Sequence, residues 1–254
     1  MPLTDHDALE EAYMAALKHE KAGRFHEAKP FYEQCLVLDP DDHVGASVRL
    51  AAMGLAKAPD TSPTAYMEQL FNQFADQFDE ILIEKLGYSV PMQLEQWFRA
   101  NKPGPYRRMV DLGCGTGLVG MLMTDMCEHA TGVDIAEKMI EASDGRAAYD
   151  ELFVNEVVHF LQEYAKSDNP AYQPFDLFVT ADMLPYIGAL EPLFDGIAAN
   201  AAPGATLAFS CEGLPNLNEG WSITPQHRFA HSKKYLEQMC ARAGFLNIDL
   251  CEVI

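Results

Sequence analysis

The sequence predicts an α/β fold in which a helical N-terminal segment precedes a doubly wound parallel sheet. From residue 107 onward, short apolar runs alternate with helical patterns. Such alternation is typical of right-handed crossovers that cover both faces of a parallel sheet. Residues 6–57 instead carry apolar side chains at helical spacing without a strand pattern. A glycine-rich turn directly after the first apolar run predicts a ligand site at the edge of the sheet.

The alternation predicts strands over residues 107–112, 129–134, 151–155, 175–180, 205–210 and 245–253. Helices are expected over residues 118–127, around 138–142, and over 157–164, 189–200 and 231–243. Two further helices are expected before the first strand. One is capped by Ser62 or Thr64 and ends at Gly87, and the other covers residues 91–100.

The glycine-rich turn is the most specific signal in the chain. Residues 109–118 read MVDLGCGTGL, so three glycines at alternate positions separate a strand from a helix. Glycine is needed where the backbone turns sharply and no side chain can stand between it and a ligand. A second strand ends about twenty residues later at Asp134, where a carboxylate can accept both hydroxyls of a ribose. The two segments predict a pocket for an adenosine-bearing cofactor.

Two other interpretations of this turn compete with the first. Residues 115–120 fit the G-x-G-x-x-G pattern of dinucleotide-binding proteins. However, Asp111 lies two residues before the first glycine and suits a positive ammonium better than a pyrophosphate. A tight turn without any ligand would leave Asp111 and Asp134 unexplained. Asp111 therefore disfavours the dinucleotide interpretation, and the two acids together disfavour a turn without a ligand.

The segments VDLGCGTG and GVD resemble the first two motifs of class I S-adenosylmethionine-dependent methyltransferases. The resemblance extends over nearly the whole chain and implies a Rossmann-like fold with S-adenosylmethionine as the cofactor. LFNQFADQFD resembles the helix that folds over this cofactor, and FDLFVTADMLPY resembles the strand whose end lines the transfer site. The cofactor-binding residues that the resemblance implies are Phe74, Phe78, Asp111, Gly113, Cys114, Gly115, Gly117, Leu118, Asp134, Ile135, Met139, Glu156, Val157, Ala181 and Asp182.

Within that set, the resemblance implies particular roles. Glu156 would accept the exocyclic amine of adenine, where aspartate is more usual, and Val157 would support the ring. Ile135 would cover the other adenine face, and either Phe74 or Phe78 would lie near the methionyl end. The sheet of this family normally ends with a seventh strand, for which no candidate remains. Either a tail lies outside this sequence or the sheet edge is unusual.

A general base helps methyl transfer when the nucleophile is a hydroxyl or an ammonium. His227 and His231 lie four residues apart near the last helix and titrate in the useful range, so they are the candidates for this base. Tyr186 and Asp182 are candidates for contact with the acceptor. Alternatively, Arg228 and the histidines cap a helix or face solvent, and Asp182 caps the helix that follows it. No group of residues has the spacing of metal ligands, so no metal is expected.

The chain divides into three predicted regions. Residues 1–58 resemble a tetratricopeptide repeat, in which Gly23 ends the first helix and Pro40 opens the third. Because such arrays need about three repeats, this segment is expected to brace the catalytic domain, to bind a protein partner or to self-associate. Residues 59–104 are expected to form a linker and a helical lid over the cofactor, and residues 105–254 the cofactor-binding domain.

Composition favours a cytoplasmic enzyme. The 254 residues carry a formal net charge of -20, which disfavours nucleic acid as a partner. No apolar run is long enough for a membrane span, and the N-terminus lacks a signal-peptide pattern. The six cysteines are scattered without a C-x-x-C pair, which is typical of buried thiols in a reducing compartment.

Three functions remain open from the sequence. The first is S-adenosylmethionine-dependent methylation of a small-molecule acceptor. The second is a non-catalytic adaptor with a degenerate cofactor pocket, against which the acids at Asp111, Asp134 and Glu156 argue. The third is a nicotinamide-dependent oxidoreductase, which a titration with NADH would test.

Overall fold

The computed structural model describes residues 5–81, 87–167, 169 and 172–251. In chain order, its helices are α1 Asp5–Lys21, α2 Phe25–Leu38, α3 Ala46–Ala52, α4 Thr64–Phe74, α5 Val90–Asn101, α6 Leu118–Met123, α7 Glu137–Asp144, α8 Val157–Lys166, α9 Glu191–Asn200 and α10 Lys233–Arg242. The strands are β1 Met109–Leu112, β2 Ala130–Asp134, β3 Glu151–Val154, β4 Phe175–Thr180, β5 Ala201–Phe209, β6 Trp221–Ile223 and β7 Phe229–His231.

The first five strands form one parallel sheet in the order β3-β2-β1-β4-β5. Helices cover both of its faces. Within β1, Val110 and Leu112 belong to one buried cluster, whereas Met109 belongs to a second. Because successive side chains of a strand point to opposite faces, these clusters are the two layers of the core. The strand order reverses between β1 and β4, and ligands of such sheets bind at the crevice beside this switch point.

The N-terminal helices α1, α2 and α3 enclose a small core of their own, which includes Ala16, Ala28 and Tyr32. Gly23, with φ +71°, lies between α1 and α2 as predicted. The prediction that Pro40 opens the third helix is wrong, because α3 begins at Ala46. Asp42 accepts hydrogen bonds from the first amides of α3, so the start of this helix depends on a carboxylate rather than on a proline. The tetratricopeptide resemblance stays a prediction.

The segment before α4 is attached to the segment after β4 by backbone hydrogen bonds. The Ser62 amide donates to the carbonyl of Tyr186 at 2.9 Å, and the Gly188 amide donates to the carbonyl of Asp60 at 2.9 Å. This predicted linker is therefore a fixed part of the structure. The helix α4 is preceded by Pro63 without a side-chain cap, so the predicted cap at Ser62 or Thr64 is wrong. The predicted helix passes through residues 82–86, which lie outside the described residues.

The C-terminal part differs most from the prediction. β6 and β7 pair as an antiparallel hairpin that was not predicted, and α10 begins after Ser232, whose hydroxyl caps it. No strand is present over residues 245–251, and residues 252–253 lie outside the described residues. Leu246, Ile248 and Leu250 are exposed there. Their alternation fits a strand, but a strand also needs a neighbouring edge to pair with, and alternation alone does not supply one.

Candidate active site

A cavity of about 290 Å³ lies at the carboxyl ends of the strands, beside the switch point. The residues predicted for the site that line it are Phe78, Gly113, Cys114, Gly115, Leu118, Asp134, Ile135, Met139, Glu156, Val157, Ala181, Asp182 and Tyr186. Further lining residues, which were not predicted, are Thr61, Met67, Phe71, Tyr88, Pro91, Thr116, Val119, Met183, Ile187 and Arg228. Phe74, Asp111, Gly117, His227 and His231 are not among the lining residues.

The glycine turn needs glycine for both conformation and space. Gly113, Gly115 and Gly117 all have positive φ, at +79°, +53° and +89°. A Cβ atom on Gly113 would lie 2.9 Å from the Met183 Cβ, and one on Gly117 would lie 2.8 Å from the Ser143 Oγ. Gly117 precedes α6 and packs against α7, so its role is to seat the helix rather than to line the cavity.

Asp134 joins the glycine turn to the end of β2. Its Oδ2 accepts the Gly115 amide at 2.9 Å, and its Oδ1 accepts the Ala136 amide at 2.9 Å. Burial raises the pKa of Asp134, while these backbone hydrogen bonds oppose the shift. A carboxylate oxygen can accept more than one hydrogen bond. Both oxygens of Asp134 can therefore also accept a ribose hydroxyl.

Asp111 is buried behind the turn and does not reach the cavity. Its Oδ2 accepts the hydroxyl of Tyr149 at 2.6 Å, and its Oδ1 is buried without a partner among the described residues. Burial raises the pKa of Asp111 to about 7, with a smaller contribution from the charge of Asp134. The predicted contact with the cofactor's ammonium is therefore not formed by this geometry. Tyr149, which also accepts the Gly120 amide at 3.0 Å, ties β1 to α6 and was not predicted.

The third strand ends at the predicted adenine site. Glu156 precedes α8 and caps it: its carboxylate accepts the amides of Val158 at 3.0 Å and His159 at 2.9 Å. Glu156 and Val157 line the cavity together with Ile135 and Met139. The acid therefore has a helix-capping role in addition to any contact with a ligand.

The lid brings one of its two candidate rings to the cavity. Phe78 lies 3.7 Å from the position of a Cβ on Gly115. Phe74 is 41% exposed and is not among the lining residues, so of the two candidate rings Phe78 is the one at the cavity. Phe71 takes a place that was not predicted: its ring centroid lies 6.1 Å from that of Phe78 and 5.2 Å from that of Tyr186. These three rings form a continuous aromatic row from the glycine turn to Tyr186.

The lid is held to the sheet by polar contacts. Asp79 Oδ1 accepts the hydroxyl of Thr116 at 2.6 Å, and Asp79 also forms an ion pair with Arg146. Asn72 Oδ1 accepts the amide of Lys138, at the start of α7, at 3.0 Å. The lid is thus attached both to the glycine turn and to the helix after β2.

A polar cluster lies where the aromatic row ends. Arg228 Nη2 donates to Asp182 Oδ1 at 2.6 Å, its Nη1 donates to the hydroxyl of Tyr186 at 3.3 Å, and its Nε forms an ion pair with Glu212. The guanidinium also lies over the Tyr186 ring, 5.3 Å from its centroid. Arg228 is placed there by the turn between β6 and β7. We call the group Asp182, Tyr186, Glu212 and Arg228 the Arg228 cluster.

Ionisation in this part of the cavity follows from burial. Burial raises the pKa of Asp182, while the charge of Arg228 opposes this shift. Burial also raises the pKa of Tyr186 to about 12 and raises the pKa of Tyr88 beyond its ordinary value. At neutral pH both phenols are protonated and can donate a hydrogen bond to a ligand.

Asp182 has φ +59°, a left-handed conformation that is uncommon for residues other than glycine. Its amide donates to the Ser210 Oγ at 2.7 Å. The helical turn that follows is preceded by Met183 and has no side-chain cap, so the alternative role of Asp182 as a helix cap is excluded. Strained residues of this kind concentrate at functional sites.

Neither predicted histidine lines the cavity. His227 Nε2 lies 3.0 Å from Glu20 Oε1 of α1. The buried His231 Nε2 donates to the carbonyls of Ile187 at 2.9 Å and Gly188 at 3.2 Å. Residues 227–231 form a turn and a strand, which directs both rings to these partners. The geometry therefore does not favour either histidine as the general base, and that assignment stays a prediction.

Among the described residues, no group of acidic, histidine or cysteine side chains could hold a metal ion. In the same part of the chain, no helix is long and apolar enough to cross a membrane.

Comparison with known proteins agrees with this geometry. Residues 109–204 match the model of a family described as a methyltransferase domain. The ubiquinone biosynthesis O-methyltransferase of Pseudoalteromonas translucida (strain TAC 125) is 28% identical over 122 residues, which are 47% of this chain and 50% of that protein. The trans-aconitate 2-methyltransferase of Streptomyces coelicolor is 31% identical over 153 residues, 58% of this chain and 46% of that protein. The chain thus spans about half the length of the curated relatives it matches.

A solved structure shares the fold. The magnesium protoporphyrin IX methyltransferase of Synechocystis PCC 6803, with bound S-adenosylhomocysteine (SAH), has a TM-score of 0.53 and 13% identity. The match covers 71% of this chain and 88% of that chain. The five-stranded parallel sheet with its flanking helices is the Rossmann-like fold that the sequence predicts, and the Synechocystis enzyme shares it. The segment that matches the family model begins at β1 and ends within β5.

Proposed function

We propose that the chain is an S-adenosylmethionine-dependent methyltransferase that acts on a small-molecule acceptor. The observation that carries this proposal is one cavity that joins the glycine turn and Asp134 to the Arg228 cluster. Methyl transfer requires the acceptor and the methyl donor in line within a space that excludes water. The family match and the methyltransferase relatives support the same activity. The SAH bound to the Synechocystis enzyme supports the cofactor.

The residues present fit this cofactor. When bound, it supplies a methyl group made electrophilic by a positively charged sulfur. Asp134 would bind the ribose, and Ile135 and Val157 would enclose the adenine. Glu156 would accept the exocyclic amine through lone pairs left free by its capping bonds. Phe78 would close the cavity over the glycine turn and exclude water.

Asp182 replaces the histidines as the candidate base. It lines the cavity, and its Oδ2 accepts no hydrogen bond from the described residues, whereas Oδ1 is held by Arg228. Oδ2 can therefore take a proton from a hydroxyl or an ammonium. Tyr186, which stays protonated at neutral pH, would hold the acceptor by donating a hydrogen bond.

The binding of SAH is the direct test. At a concentration near 100 times its Kd, SAH should stabilise the folded state by about 2.7 kcal/mol, and the melting temperature should rise measurably. S-adenosylmethionine should act in the same way, and NADH should have no effect. A shift with NADH alone would support an oxidoreductase instead, and no shift with any of the three would support an adaptor.

The N-terminal helices are included in this proposal as a brace for the site. Their repeat-like organisation would hold the turn before Arg228 through Glu20 and His227. Light scattering of the full chain would test the alternative of self-association, since a brace leaves a monomer. The proposal includes a small-molecule acceptor rather than nucleic acid, because a net charge of -20 disfavours a phosphate backbone. It also includes a cytoplasmic location.

A further inference from the structure

The cavity combines apolar walls with one basic side chain. Met67 and Phe71 of α4, Pro91 of α5 and Ile187 after β4 are apolar lining residues. Arg228 is the one lysine or arginine among the lining residues that the structure describes. An acceptor that carries a carboxylate or a phosphate would therefore have to bind at this guanidinium.

The charge of Arg228 is already compensated. Its three nitrogens contact Asp182, Tyr186 and Glu212, so two carboxylates share one guanidinium. A guanidinium stays ionised in proteins, and with both acids ionised the cluster carries a net charge of about -1. Asp134 and Glu156 add further acids to the cavity wall. An anionic acceptor would face net negative charge in a partly buried site, where such repulsion is screened little.

The free atoms of the cluster are suited to a hydrogen-bond donor. No described residue donates a hydrogen bond to Asp182 Oδ2, whereas Oδ1 and the backbone amide of Asp182 are both hydrogen-bonded. The left-handed backbone holds this carboxylate at the end of β4 despite the strain. A carboxylate held by a guanidinium on one oxygen presents its other oxygen in a fixed direction.

We propose that the acceptor is an apolar small molecule with a hydroxyl or amine and no negative charge. This proposal rests on the proposed methyltransferase activity. Asp182 Oδ2 accepts the hydrogen bond of that hydroxyl or amine. Asp182 and Glu212 act together as the specificity determinants, because they compensate the charge that would otherwise bind an anion. The apolar walls bind the body of the acceptor.

The test uses the full chain saturated with SAH and three probes that share one skeleton. These are 4-methylphenol, 4-methylbenzylamine and 4-methylbenzoate, titrated by ligand-observed NMR. We expect the phenol or the amine to bind at least tenfold more tightly than the benzoate. Glu212→Gln should raise the affinity for the benzoate at least fivefold, because the net charge of the Arg228 cluster changes from about -1 to about 0. Glu163→Gln, at a side chain 64% exposed on α8, removes the same charge from the surface and should change nothing.

The outcomes distinguish failure of the proposed acceptor class from failure of the proposed methyltransferase activity. Tighter binding of the benzoate to the wild-type chain would overturn the acceptor class, as would no binding of any probe to the SAH-saturated protein. Continued exclusion of the benzoate from Glu212→Gln would also overturn it, because charge would not be the cause. If Glu212→Gln does not fold, Asp182→Asn provides the same comparison with a side chain that tolerates the left-handed backbone. Failure to bind SAH would instead contradict the proposed function.

Discussion

Glu20 Oε1 of α1 lies 3.0 Å from His227 Nε2, in the turn that leads into Arg228. The same carboxylate accepts a hydrogen bond from Arg49 at 3.1 Å and another from the Tyr32 hydroxyl. The contact therefore connects the small core of the N-terminal helices to the turn that places a cavity residue. The helical segment and the active site are one structural unit at this point.

Burial of His227 predicts loss of stability in acid, although the contact with Glu20 opposes the shift in its pKa. Burial lowers the pKa of His227, as does the nearby charge of Arg49. The unfolded chain therefore binds a proton near pH 6.5 that the folded chain does not, and stability falls as the pH drops through and below this value. Burial opposes ionisation of Glu20, but Tyr32 and Arg49 lower its pKa overall, so its contribution is also lost toward low pH.

Urea unfolding between pH 8 and pH 5 would measure this effect by comparing wild type with His227→Gln. The wild type should lose more free energy of unfolding than the variant, because glutamine does not titrate. His231 is present in both proteins, so the comparison isolates His227. Parallel curves for the two proteins would show that His227 does not contribute.

Glu20→Ala should affect the Arg228 end of the cavity and leave the cofactor end unchanged. Affinity for SAH should stay within a few-fold of wild type, because the cofactor end is formed by the glycine turn, Asp134 and Phe78. Amide hydrogen exchange over residues 224–231 should become faster, because the turn loses its contact with α1. Unchanged exchange in this segment would contradict a bracing role for the N-terminal helices.

Local patterns made much of the site predictable. A strand, three glycines and a helix fix their own geometry over about ten residues, so Gly113, Gly115 and Asp134 could be located at the cavity from sequence. Tyr88 and Arg228 could not be predicted, because they are far apart in sequence and meet through tertiary packing alone. The β6–β7 hairpin consists of two strands of three residues each, too short for a clear period.

Two predictions on side-chain placement depend on packing that the sequence does not show. Phe71 and Phe78 lie seven residues apart, about two helical turns, and both line the cavity, whereas Phe74 at the end of α4 is 41% exposed. The apolar stripe contains all three rings and does not distinguish them. His227 and His231 lie in a turn and a strand, where each ring has a hydrogen-bond partner outside the cavity.

Asp134→Ala should weaken both binding and folding. The amides of Gly115 and Ala136 would lose their acceptor, at a cost of about 1–3 kcal/mol for each group that stays buried and unpaired. Loss of the ribose contact should lower the affinity for SAH about tenfold or more. Asp134→Asn should lose less, because one acceptor oxygen remains. Calorimetry and urea unfolding would measure the two effects.

Asp150→Asn is a matched control for these variants. Asp150 accepts the amide of Ala130 at 2.7 Å, at the amino end of the same strand, and does not line the cavity. Its substitution should leave SAH affinity unchanged. Wild-type affinity in Asp134→Ala would mean that this carboxylate serves the fold alone.

Gly113→Ala tests the close approach of the turn to the segment after β4. The added Cβ would lie 2.9 Å from the Met183 Cβ, in addition to the strain of a positive φ. We expect SAH affinity to fall about tenfold, equivalent to about 1.4 kcal/mol. Gly204→Ala separates the two causes, because Gly204 has φ +81° but no atom within 4 Å of an added Cβ. It should cost stability without changing affinity; equal losses of affinity in both variants would contradict the steric argument.

The lid gives the last prediction. Phe78→Ala should weaken SAH binding, because its ring closes the cavity over Gly115, whereas the exposed Phe74→Ala should leave affinity unchanged. Asp79→Asn should raise the dissociation rate of SAH. The substitution weakens the ion pair with Arg146 and the hydrogen bond with Thr116, so the lid should open more often. Stopped-flow measurement of SAH release would detect this change. Equal release rates in Asp79→Asn and wild type would mean that the lid does not gate the cavity.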